Sequence, residues 1–240
     1  MSTNNPFDPA AQDCAPDPSS QDDMAAALFA KLSTYADPTD SAMVAARAQC
    51  LKATQTLLAT THRADVEERA AAAYHEAGHA VANVLACRNA QLPPWDDLGV
   101  DSAEIGVDGK AWGGLCSGTT VYHAAYVTRL PSWDWRDAME WQLVISMSGG
   151  IAEAIHRGER RRRVVFQFAR LNCGAHHDLA DAEKVLADLR ALPGRRYGQE
   201  RYTQRALKLM LAHWPAVEAI AAVLIRDLRI EGSTIEELVP

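Results

Sequence analysis

The chain has 240 residues and a formal net charge of −7, with 48% of residues hydrophobic and 23% charged, so it can bury a sizeable core and is not a charged disordered polymer. The acidic balance gives no overall pull toward phosphate backbones or anionic membrane surfaces, which argues against nucleic acid as the main partner. Five cysteines, Cys14, Cys50, Cys87, Cys116 and Cys173, form no C-x-x-C pair, and their odd number speaks against a disulfide framework, so a reducing, cytoplasmic setting is expected.

Residues 1–22 are rich in Pro, Asp, Ser and Asn and are expected to form a disordered tail, with neither the basic start nor the apolar run of a secretory signal. Residues 23–62 read as an N-terminal helical extension of two helices, 23–31 and 40–60, parted by Asp37-Pro38. The main domain is expected over 63–240. It opens on an Ala-rich helix from about Ala64 to Cys87, closed off downstream by Leu92-Pro93-Pro94. Between Gly99 and Tyr126 short runs of Gly, Val, Thr and Ile suit strands joined by tight turns. Helical spacing returns from Trp135 to His156 through Met139, Leu143, Met147 and Ile151, and again from Asp178 to Leu189. The stretch from Tyr202 to Arg229 reads as helical with a kink at Pro215, and Ile235 to Val239 as a short closing segment. The fold class is therefore mostly α with a small β-sheet. No membrane span is expected, because the apolar tract Leu209–Ile225 is broken by His213, Pro215 and Glu218.

The most informative stretch is His75-Glu-Ala-Gly-His79. Residues four apart share one helix face, so His75 and His79 can point at one zinc ion while Glu76 faces its water as general base. The competing reading is an Ala-rich helix with incidental polar residues. Catalytic zinc needs a third protein ligand, and the residues leave two candidates: Asp178, at the start of a helix, and Glu153, on the helix after Ser148-Gly-Gly. Asp178 could equally be a plain helix N-cap, and Glu153 an ordinary solvated carboxylate. Trp133, Trp135 and Trp141 fit a core better than a binding surface, and Arg160 to Arg163 fit a solvated loop.

Several segments in the right order resemble the zinc peptidase domain of the FtsH-type membrane-bound AAA+ proteases. They are Ala73-Tyr-His-Glu-Ala-Gly-His-Ala-Val-Ala, Ser148-Gly-Gly-Ile-Ala-Glu, Gly174-Ala-His-His-Asp-Leu-Ala and the C-terminal run from Ala206 to Leu238. The resemblance spans roughly residues 66–239 and implies that Asp178 is the third ligand to one zinc ion per chain. It also implies an edge strand near 111–117 on which an extended peptide could lie, with Trp112, Gly113 and Gly114 as substrate-binding residues. Glu153 is expected to steady a ligating imidazole from behind. The chain departs from the family in having no G-x-x-x-x-G-K-[ST] phosphate loop and no membrane span, in carrying Gly150 where an arginine is usual, and in the basic run at 160–163.

The expected function is an ATP-independent zinc endopeptidase that cuts unstructured segments of a polypeptide substrate, with or without a separate delivery partner. Two alternatives remain open: a regulatory peptidase with one dedicated protein target, and a dormant zinc-stabilised interaction module. Oligomeric state is not legible in the sequence.

Overall fold

The computed structural model describes residues 41–89, 98–108, 111–128, 135–158, 176–192 and 198–240. The chain divides into two units, Met1–Asp65 and Val66–Pro240. In the first unit the described residues are helical, and every side chain described between 49 and 65 is exposed. The tail over 1–22, the helix expected over 23–31, Trp133 and the basic run 160–163 lie outside the described residues.

Helix α1 (Ser41–Asn89) runs for 49 residues without the break expected between 60 and 64. The physical reason is that from Ser41 to Ala77 there is no Pro or Gly, so nothing in the backbone chemistry interrupts the i→i−4 ladder. Its residues 75–86 are buried on all faces.

Strands β1 (Gly99–Asp108) and β2 (Ala111–Thr119) pair antiparallel, with Ile105 opposite Gly114 and a register shift between Val100 and Ser102. The sheet order is β2-β1-β3, so β2 is an edge strand among the described residues. The strand texture read as far as Tyr126 ends earlier: helix α2 (Val121–Thr128) starts at Val121, where Thr120 Oγ1 accepts the His123 backbone N–H at 3.2 Å. That side-chain cap outweighs the β-propensity of the β-branched residues around it.

Helix α3 (Trp135–His156) is buried almost throughout from Ala138 to Ile155, and α4 (His176–Ala191) and α5 (Gln199–Ala212) pack on it. Instead of one kinked helix over 202–229 there are two. Helix α6 (Trp214–Asp227) restarts after His213 with Pro215 in its first turn, bent 79° from α5. Pro215 has no N–H and its ring crowds the carbonyl four residues back, so the first helix stops and a new one begins.

Strand β3 (Arg229–Glu231), which the sequence does not announce, pairs antiparallel with β1, and α7 (Gly232–Leu238) follows it. Three residues are too few to carry a period-of-two signal. The turn into β3 depends on Leu228, left-handed at φ 64°, whose carbonyl accepts Ile105 N–H at 2.8 Å.

Trp141 is buried, with the Arg205 guanidinium 4.2 Å from its ring centre, and Trp135 stands edge-on to Tyr126. Among the described residues no single helix is long and apolar enough to cross a membrane, and α5 with α6 reaches that length only as a bent pair.

Candidate metal centre

His75, Glu76 and His79 all lie in the buried part of α1, and their spacing brings the two imidazole centres within 4.8 Å. Asp178 sits in the first turn of α4, where its short side chain reaches across to α1. Its Oδ2 is 2.9 Å from His75 Nε2 and 3.1 Å from His79 Nε2, and the two Nε2 atoms are 3.1 Å apart. Both opposite ring nitrogens are occupied: His79 Nδ1 donates to the Ile145 carbonyl at 2.8 Å, and His75 Nδ1 stands 3.4 Å from Glu153 Oε2.

A neutral imidazole protonated at Nδ1 presents a lone pair at Nε2, and with both rings in that form three lone-pair-bearing atoms converge where a cation could bind. Donors held about 2.0–2.1 Å from a tetrahedral ion stand about 3.3 Å apart, close to the separations of 2.9 to 3.1 Å found here. His75, His79 and Asp178 thus form a group that could hold a metal ion.

Two glycines keep this centre open and a third keeps the helices close. A Cβ at Gly149 would run into His79 Nε2 and stand 2.7 Å from His75 Nε2, so its missing methyl leaves the cradle free. A Cβ at Gly114 would run into Cγ of Glu76. At Gly78 a Cβ would lie 2.5 Å from the Ser148 carbonyl, which explains the helix-weakening glycine inside the motif as the place where α3 crosses α1.

Charge follows the same geometry. Burial alone would lower the pKa of His75, but hydrogen bonds to Asp178 and Glu153 and the charges of Glu76 and Asp178 outweigh it and push it up to about 10. His79 is likewise raised against its burial by Asp178. Asp178 is itself held well below the usual carboxylate range, because the attraction of both imidazoles overcomes its desolvation. Without a metal, a proton on His75 supplies the positive charge that the convergence demands. Glu76 is raised by burial, in part opposed by His75, His79 and the Cys116 backbone N–H that donates to it.

Glu153, the second candidate for the third ligand, is not among the converging atoms but behind His75 on its Nδ1 side. Gly114 lies against Glu76, Gly113 has open space where a side chain would be, and Trp112 sits under the Arg69 guanidinium at 5.3 Å. His177 is exposed. Sequence reasoning missed Gly149, the Ile145 carbonyl and Arg157, whose guanidinium grips Glu153. Only Arg157 left a readable trace, as the i,i+4 partner of Glu153.

Fold and site together define a mainly helical α+β protein with a buried His-His-Asp group able to hold a metal ion. No protein-family model matches the chain, and no curated protein matches it in sequence.

Proposed function

We propose that the chain is a zinc-dependent endopeptidase built like the FtsH-type peptidase domain, cutting unstructured segments of other proteins without ATP hydrolysis of its own. The observation that carries this reading is the buried Glu76 carboxylate, one residue from His75 and pressed against Gly114 of an edge strand. Two imidazoles and one carboxylate favour zinc over magnesium or calcium, which prefer all-oxygen sets.

A divalent metal on His75, His79 and Asp178 would supply a water of pKa lowered from 15.7 toward about 7 and a polarised scissile carbonyl. Glu76 does the proton work. Its burial raises its pKa toward the working range, and the Cys116 N–H keeps the carboxylate in place, so it can take a proton and return it to the leaving amine. Such acid-base help is worth about 10² to 10⁴ in rate.

Trp112, Gly113 and Gly114 are the proposed substrate track. A peptide laid along β2, an edge strand among the described residues, would be held by main-chain hydrogen bonds, which recognise extended backbone and select little among side chains. That suits loosely structured polypeptide, brought by a separate partner or met directly.

The test is metal analysis together with cleavage of an unfolded protein by the wild type and Glu76→Gln. One zinc per chain in both, with cleavage lost only in the variant, supports the peptidase. Equal cleavage by both sinks it, and zinc bound without any cleavage by the wild type favours an interaction module instead.

A further inference from the structure

Arg157 lies outside the expected site, one residue past the end of α3, four residues after Glu153. Its backbone N–H donates to the Glu153 carbonyl at 3.0 Å, and Gly158 then leaves the helix at φ 87°. This tight ending folds the guanidinium back onto the carboxylate. Nε and Nη2 reach Glu153 Oε1 at 3.1 and 3.0 Å, while the other oxygen, Oε2, stands 3.4 Å from His75 Nδ1. The Glu153 side chain is only 8% exposed, whereas that of Arg157 is 37% exposed.

We propose that Arg157 is a positioning residue for the metal centre, acting through Glu153 on His75. The inference rests on the reading of His75, His79 and Asp178 as metal ligands. A surface ion pair with this spacing would contribute little. Here one end of the pair is buried, and its second oxygen touches a ligand. Two donors from Arg157 pin Oε1, and with that oxygen held the carboxylate keeps Oε2 beside the imidazole. His75 is thereby held with its proton on Nδ1 and its Nε2 lone pair toward His79 and Asp178. Arg157 also supplies one positive charge against the three buried or half-buried carboxylates of Glu76, Glu153 and Asp178.

Orientation and bare charge predict opposite signs. Removing a cation near a divalent ion would by Coulomb's law alone tighten metal binding. Loss of a supporting shell weakens it by about 10- to 100-fold. We expect the orienting role to dominate, because the guanidinium is separated from the metal position by a carboxylate and a whole imidazole ring.

The experiment measures zinc affinity by chelator competition for the wild type, Arg157→Ala, Arg157→Lys, Glu153→Gln and the Glu153→Gln/Arg157→Ala double variant. The visible spectra of the cobalt-loaded forms are recorded alongside. Arg157→Ala should bind zinc about 10-fold more weakly with an altered cobalt spectrum. Arg157→Lys should recover part of that loss, since lysine keeps the charge but not the two-pronged grip. In the Glu153→Gln background the Arg157 change should add almost nothing.

Unchanged or tighter zinc binding by Arg157→Ala overturns the proposal, as does an undiminished effect in the Glu153→Gln background. A wild type that binds no zinc refutes the metal centre itself, a separate outcome. Should Arg157→Ala not fold, Arg157→Lys and Arg157→Gln carry the same comparison.

Discussion

Gly149→Ala is the sharpest perturbation of this centre, because it adds one methyl group where the histidine nitrogens converge. That methyl would run into His79 Nε2 and stand 2.7 Å from both His75 Nε2 and His79 Cδ2. Ordinary contact begins at 3.4 Å, so unless the backbone shifts the His75 ring must retreat by about 0.7 Å and the His79 ring by more. Metal–ligand distances tolerate only about ±0.2 Å, so a ring displaced that far no longer ligates. The loss in affinity should exceed the roughly 100-fold that even a supporting residue can cost.

The fold should survive the same change. Overpacking a core costs about 1–3 kcal/mol, and replacing a mid-helix glycine by alanine returns about 1 kcal/mol. The expected result is a folded, cooperatively melting protein with little or no zinc after dialysis against a weak chelator, read by metal analysis and circular dichroism. Stoichiometric zinc at wild-type affinity would refute the placement of the metal between His75, His79 and Gly149.

Asp178→Ala should lower zinc content and affinity more than Glu153→Gln does, as measured by chelator competition, because Asp178 Oδ2 lies among the converging atoms and Glu153 does not. Gly114→Ala should retain zinc but lose most peptidase turnover, since its Cβ would run into Glu76 Cγ and lie 2.8 Å from the Glu104 carbonyl; wild-type kcat in that variant would count against Glu76 as base. Melting temperature should show opposite pH trends with and without metal. In the metal-free protein the raised His75 contributes stability that is fully present below its unfolded value of 6.5 and is lost as pH rises through about 10. The metal needs the deprotonated ring, so zinc stabilisation should grow over the same interval, and parallel curves would contradict the shared site. At the acid end, the depressed Asp178 contributes stability present above its ordinary range and lost as pH falls through its folded value, so the metal-free protein should also weaken in acid.

The sequence by itself determined the local matters. The four-residue spacing of His75 and His79 on an Ala-rich run without proline fixed two donors on one helix face, since helical geometry is set by nearest neighbours. Alternation and glycine punctuation gave β1 and β2, and the opening of α4 put Asp178 on a first turn. Where one atom decided the outcome, the sequence was silent or misleading, as with the Thr120 cap that starts α2 and the left-handed Leu228 that creates β3. The residues alone left Asp178 and Glu153 open and the family resemblance favoured Asp178; the tertiary structure brings Asp178 Oδ2 among the converging imidazole nitrogens and sets Glu153 behind His75, because the two carboxylates face different ring nitrogens. It also gave Gly149 and Arg157 their places, since clearance beside His75 and His79 and the contacts of Glu153 behind His75 are properties of packed helices rather than of residue spacing.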